Sequence, residues 1–198
     1  MLCEAFLIFK NTYPGRGIRA SAREALNSAI DRNWDGALQK SIAHLSFVQQ
    51  EQMWAEAAAA AIEHWQAGAD TALDKPEILI GEAAKLLDVT IDMLRNWERN
   101  GLITVPRIHA NRYRRYGPTE INRLRVIRAL TKAGYSQMAI LRMLLHLDHG
   151  MPSDVRQALD TPRPGDDVYA ASDRWLSTLA EQEVVAHRLI ALVQEFIG

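Results

Sequence analysis

Apolar residues fall at helical spacing along most of the chain. Within residues 78–145 they mark out a succession of short helices. Ile80, Ala83, Ala84 and Leu87 occupy the i, i+3, i+4 and i+7 positions of one inward face, and a turn follows at Asp88-Val89-Thr90. A second helix covers residues 91–99, with Leu94 and Trp97 on its buried side and Asp92, Arg95, Asn96 and Arg99 pointing away or to the flanks. Thr90 suits the N-cap of that helix, because its hydroxyl can accept from a free backbone N–H. Asn100-Gly101 ends it, a basic hairpin pattern spans residues 106–116, and two more helices follow, the first burying Ile121, Leu124, Ile127 and Leu130. The pattern predicts a helix-turn-helix with a wing.

The flanks are helical as well. Residues 1–10 form a short helix broken at Asn11-Thr12-Tyr13-Pro14-Gly15, and residues 21–30 form a second. A long helix runs over about residues 36–67, with residues 57–61 its strongest helix-forming part and Gly68 its stop. At 1.5 Å per residue its span is ~45 Å, a length that calls for a partner. Residues 71–77, with Pro76, are a linker. Past the central region, residues 152–159 are a short helical segment and Pro162-Arg163-Pro164-Gly165 a breaker. The last long helix covers about residues 166–197, and its Leu179, Ala186, Leu189, Val193 and Phe196 fit three-four spacing with Gln182 in the missing seam position.

The predicted fold is therefore mainly α, with a winged helix-turn-helix domain at residues 78–147 between a helical region, 1–70, and a C-terminal helical pairing region, 148–198. The long helices are expected to pair as an antiparallel coiled coil. The two ends also match each other. A shift of 131 residues pairs Leu45 with Leu176, Val48 with Leu179, Trp54 with Val185, Ala58 with Leu189 and Ile62 with Val193, and a shift of 133 pairs Ala25-Leu26-Asn27 with Ala158-Leu159-Asp160. Helices share such periodicity by chance. The other reading makes residues 1–70 the tail of a degenerate or missing first unit of the same kind. The long helices then pair either within one chain, as a pseudo-dimer, or between two chains, as a homodimer.

Charge sharpens the central region. Residues 91–132 hold ten Lys/Arg against three acids, a balance of +7 in a chain whose total is −1, so the remainder carries −8. Nine of those ten cations are Arg, whose planar fork can hold phosphate oxygens bidentately or read the edge of guanine. In the hairpin the Arg residues alternate with Tyr113 and Tyr116, which suits clamping a nucleic-acid backbone. Arg123, Arg125 and Arg128 read as the wet side of a helix, and Trp97 as core.

These residues resemble the MerR family of bacterial transcription regulators. The resemblance is carried by Ile80-Gly81, by Leu94-Arg95-Asn96-Trp97-Glu98, by Gly101-Leu102, by Asn111-Arg112-Tyr113-Arg114-Arg115-Tyr116, and by Ala133-Gly134-Tyr135-Ser136 before the next helix. It implies a cytoplasmic regulator that binds duplex DNA and distorts a promoter so that RNA polymerase can or cannot engage it. Carried over by position, Arg95 and Arg114 would bind phosphates, Tyr113 would brace the backbone from the wing, and Asn96 and its neighbours would face bases. The expected DNA-binding set is Thr90, Asp92, Arg95, Asn96, Arg99, Arg107, Asn111, Arg112, Tyr113, Arg114, Arg115 and Tyr116. Asn96 stands where the family has an aromatic, Asp92 where a basic or neutral residue is common, and Arg112 where the wing tip has glycine.

Other chemistries find less support. The family's metal sensors need thiolates, and the single Cys3 supplies neither a thiolate cluster nor an intrachain disulfide. His146 and His149 are spaced to hold a metal, but imidazoles at a helix C-terminus are favoured by the dipole alone, so no metal or cofactor is expected. Trp34, Trp54, Trp65 and Trp175 read as core or interface aromatics rather than an effector pocket, and no effector is identified. There is no phosphate-cradling glycine loop, nucleophile elbow or zinc-protease motif, and Glu98 reads as a structural carboxylate, so the chain is not expected to be an enzyme. No apolar run approaches the ~20 residues of a membrane span, and residues 1–9 lack the basic leader of a signal peptide. The competing readings are an excisionase-like architectural DNA-binding protein and a protein-interaction or small-molecule-binding helical module with an incidental basic patch.

Overall fold

The computed structural model describes residues 17–66, 77–107, 113–149, 154–161 and 171–197. They form the helices α1 (Ile18–Ile30), α2 (Trp34–Gln66), α3 (Ile80–Leu87), α4 (Ile91–Arg99), α5 (Pro118–Ala133), α6 (Gln137–Asp148), α7 (Val155–Asp160) and α8 (Trp175–Ile197), the last preceded by a 3-10 turn at Ala171–Arg174. The fold is mainly α, as the periodicity predicts. α1 starts three residues earlier than its apolar pattern suggested, and the last helix later, because the turn at Ala171–Arg174 closes i to i+3 hydrogen bonds instead of α-helical ones. The helix expected over residues 1–10 and the linker up to residue 76 lie outside the described residues. The chain divides into two compact units: residues 1–57 with 159–198, and residues 58–158. The end of α2 thus belongs to the second unit rather than to the first.

In the first unit, α1 and α2 are joined by a turn in which Arg32 takes a left-handed φ of 57°. Asn33 caps α2, its side-chain oxygen accepting from the Gly36 N–H at 3.0 Å. α2 then buries Ala37, Ser41, His44, Val48, Glu51 and Ala55, and α8 buries Trp175, Leu179, Gln182, Ala186, Leu189 and Val193. Both rows step alternately by four and three residues, the 3.5-residue period of a helix-helix seam. The two helices meet in opposite directions: Trp34 stacks on Phe196 with ring centroids 4.6 Å apart, and Gln49 donates to Glu183 at 2.8 Å. Ala25 and Ala29 of α1 close over Ala37, Leu189 and Val193. Asp160 anchors the start of α8, accepting from the Ser177 N–H at 3.1 Å and from its hydroxyl.

The seam is unusually polar for a core. Ser21 Oγ donates to Ile18 O at 3.0 Å and lies 2.8 Å from His44 Nδ1, so that ring nitrogen donates to the hydroxyl. Gln182 is fully buried, and neither polar atom of its amide has a hydrogen-bond partner among the described residues.

In the second unit, α3 packs on α4 and α5, and α5 on α6. Leu94, Trp97, Leu102, Leu124, Ile127, Leu130, Ile140 and Met143 form its centre, each almost wholly buried. The break between α5 and α6 uses Gly134 at φ 103°, a conformation that costs little without a Cβ, and Ser136 then caps α6 by accepting from the Ala139 N–H at 3.0 Å. Buried Arg142 donates Nε to Ala158 O at 3.0 Å and so ties α6 to α7, while Arg156 of α7 pairs with Glu63 of α2.

Two predictions follow from the polar seam. Burial lowers the His44 pKa from 6.5 to about 4. The unfolded chain therefore binds a proton between those values that the folded chain refuses. Stability is complete above pH 6.5 and falls with pH, His44 alone removing roughly 3 kcal/mol by pH 4. The Tm difference between the parent and His44→Asn should shrink on going from about pH 7.5 to 4.5. Replacing Gln182 by Leu removes an unsatisfied buried amide at similar volume and should raise unfolding stability in urea by about 1–3 kcal/mol.

Candidate nucleic-acid interface

The turn between α3 and α4 is set by side chains that satisfy the helix ends. Glu82 accepts from the Leu79 N–H at 2.9 Å at the start of α3. Asp88 closes that helix in a left-handed conformation at φ 50°, with the Val89 N–H bonding back to Ala84 O at 3.0 Å. Two residues later the Thr90 hydroxyl accepts from the Met93 N–H at 3.1 Å and starts α4. Leu94 and Trp97 hold α4 by its inner face, which leaves Asp92, Arg95 and Arg99 exposed on the outer one.

Glu98 lies at the inner edge of that outer face and connects α4 to the wing. Its Oε2 accepts from Arg114 Nε at 2.6 Å and its Oε1 lies 3.6 Å from Arg107 Nη2. The backbone of the wing is joined by bridges at Arg107·Arg114 and Ile78·Tyr116, with the Arg115 N–H donating to Pro106 O and the Ile78 and Tyr116 amides exchanging hydrogen bonds, each at 3.0 Å. Among the described residues these are isolated bridges, not the continuous strands of the expected hairpin. Asp92, Arg95, Glu98, Arg99 and Arg114 line one shallow depression between α4 and the wing. Among the described residues Arg95 pairs only with exposed Asp92, at 3.3 Å, a contact that water and salt screen readily. Arg99 has no carboxylate partner among the described residues. An anion entering the depression would meet three guanidinium groups, one of them held in place by a carboxylate.

Several expected site residues take other roles. Tyr116 is 1% exposed and belongs to the core beneath the wing, so it cannot touch a duplex. Burial, and then the Glu98 carboxylate, push its hydroxyl above the usual phenol range against the pull of Arg114 and Arg95. Tyr113 is 62% exposed. Asn96 is half-buried, and its carbonyl accepts from Asn100 Nδ2 and Gln137 Nε2, both at 3.0 Å, so its side chain turns towards the start of α6 instead of facing bases. Arg115 is half-buried with its Nε shielded from solvent. Asn111 and Arg112 lie outside the described residues. Of the other cations, Arg123 grips both oxygens of Asp148 at 2.6 and 2.9 Å and donates Nε to Leu102 O, while Arg128 reaches Asp88 at 3.2 Å. These two serve the architecture of the domain. Sequence reasoning passed over Gln137, whose helix-start position on α6 carried no charge or motif to mark it.

The family described as MerR HTH family regulatory protein matches residues 79–147. Among curated proteins the chain is similar to the HTH-type transcriptional regulator HmrR of Sinorhizobium medicae, 38% identical over 65 residues, which are 33% of this chain and 44% of that protein. It is also similar to a probable heavy metal-dependent transcriptional regulator of Haemophilus influenzae, 34% identical over 70 residues, 35% of this chain and 55% of that one. The chain spans about half the length of these relatives. No solved structure matches it. Residues 79–147 carry a MerR-type helix-turn-helix domain.

Replacing Glu98 by Ala would leave Arg114 without its carboxylate at a largely shielded position. The change should cost about 1–3 kcal/mol of unfolding stability in urea, followed by far-UV circular dichroism, and Glu98→Gln should recover part of it.

Proposed function

We propose that the MerR-type domain at residues 79–147 binds duplex DNA as part of a transcriptional regulator. The observation that carries this reading is the depression between α4 and the wing, where Arg95, Arg99 and Arg114 converge. α4 would enter the major groove by its exposed face, with Arg99 free to approach a base edge or a phosphate. Arg114 and Arg107, aimed from the wing by Glu98, would take phosphates on the flank. Asp92 screens Arg95 in the absence of DNA and would repel phosphate, so α4 has to settle with Arg95, not Asp92, nearest the backbone. Thr90 starts the helix and can offer its exposed backbone end to a phosphate.

The regulatory step that this reading implies is distortion of a promoter that RNA polymerase then engages or fails to engage. One relative's name points to heavy metals, but a thiolate metal site needs several sulfurs and this chain holds one cysteine, so the proposal includes no metal. Both relatives are named as transcriptional regulators, which supports regulation over catalysis. No helix among the described residues is long and apolar enough to cross a membrane.

The test is a salt titration of binding to a mixed-sequence duplex, followed by fluorescence anisotropy. Arg95→Ala with Arg114→Ala should weaken binding to every sequence and reduce the slope of log K against log salt by about 2, each phosphate contact contributing roughly 0.9. A double variant that binds with the parent's affinity and salt slope would refute the reading.

A further inference from the structure

We propose that Asp92 reads a base: on the DNA-binding function proposed above, on which this inference rests, its carboxylate lies at the floor of the major groove and accepts from the exocyclic amine of a cytosine. The placement follows from the helix. At about 100° per residue, the direction opposite the midpoint of buried Leu94 and Trp97 passes within about 10° of two side chains, Asp92 in the first turn of α4 and Arg99 in the last. Arg95 and Asn96 stand about 50° to either side of that line. Each has a neighbour on its own flank: Arg95 lines the depression with Arg114 of the wing, whereas the Asn96 carbonyl accepts from Gln137 at 3.0 Å. The centre of the outer face therefore belongs to Asp92 and Arg99. A helix-turn-helix presents the N-terminal part of its second helix to base edges, and of the two it is Asp92 that lies there.

The chemistry of a carboxylate narrows what it can meet. The Asp92 side chain is 89% exposed, and its partner among the described residues is the Arg95 guanidinium at 3.3 Å, on the side towards the wing. An ionised carboxylate only accepts hydrogen bonds. On the major-groove edge guanine shows two acceptors, and thymine an acceptor and a methyl group, so either base would leave Asp92 desolvated without a donor. Adenine offers an amine but sets its N7 acceptor beside it. Cytosine offers its amine with no acceptor of its own on that edge. The charge that makes Asp92 a poor neighbour for phosphate thus makes it selective at the groove floor, where it excludes three bases more strongly than it attracts the fourth. The helix dipole also favours an acid in the first turn of α4, but that stabilisation carries no base preference.

The test is selection of duplexes from a random pool by the full chain and by its Asp92→Asn and Asp92→Ala variants. Anisotropy titrations then compare all four base pairs at each position the parent enriches. The parent should enrich a C·G pair at one position and lose about tenfold in affinity when that pair is replaced. Asp92→Asn keeps the shape, removes the charge and adds a donor, so the preference should move at that position alone to A·T, whose N6 and N7 an amide matches. Asp92→Ala should bind all four pairs there nearly equally and hold the unselected pool more tightly than the parent does, because a repulsive charge is gone. Variants that keep the parent's preferences would overturn the proposal. So would a change of affinity that is uniform over all sequences, the signature of an Asp92 that only orients Arg95 or repels the backbone. A parent that binds duplexes with no base enriched would overturn it and leave DNA binding standing, whereas a parent that binds no duplex would refute the DNA reading and this one with it.

Discussion

The ion pair between Glu98 and Arg114 is the contact on which the interface depends. The wing has little backbone ladder of its own among the described residues, two isolated bridges and the amides around them. A carboxylate one residue from the end of α4, shielded from solvent and taking Arg114 at 2.6 Å with Arg107 at 3.6 Å, adds a side-chain constraint between the wing and that helix. The pair is worth more than an exposed one, because solvent screens it less and the guanidinium is held by a charge-assisted hydrogen bond. It also orders Arg114 before any ligand arrives, which lowers the entropy lost on binding.

That arrangement trades raw attraction for position. Two of the five residues lining the depression are acids, so its net charge is far below that of the whole basic segment. On the DNA-binding reading, long-range steering would then rest on cations outside it, and the depression would set where the phosphates lie. Asp92 and Glu98 differ in this respect. Glu98 is held in internal pairing, whereas Asp92 stays exposed beside Arg95, where on the DNA-binding reading it would repel phosphate. On that reading the surface would discriminate by register more than by affinity, since a shift along the backbone would bring phosphate against carboxylate.

The helix-turn-helix was legible in the sequence because its signals are local: the apolar spacing of α3, the Thr90 cap, and Leu94 with Trp97 on one side of α4. The wing was less so, and for a physical reason. Extended chain alternates sides, so Tyr113 and Tyr116, three residues apart, must point to opposite faces. The structure exposes the first and buries the second. Reading the two tyrosines together as clamping residues ignored that period; applying it would have placed Tyr116, and the inner side of Arg114, against the body of the domain. Asn96 was missed differently. Its position on the flank of α4 allows either an outward or an inward turn, and the choice was made by Gln137, which lies 41 residues further along and is brought close only by packing.

The long helices show the limit from the other side. Their seam is hard to see in composition because α2 fills it with Ser41, His44 and Glu51, residues that a hydropathy reading assigns to the surface. The partner row on α8 is larger and more apolar, apart from Gln182. A row that pairs with a different row need not be complementary to itself, so one can be small where the other is large. Polar residues are tolerated in such a seam only when each finds a partner or when the surrounding packing tolerates the cost. His44 meets the first condition through Ser21, whereas Gln182 has no partner among the described residues and meets only the second. A buried polar residue in a helix seam is often what fixes register at some expense of stability, and Gln182 lies near the middle of its row, where a slip of one heptad would cost the most contacts.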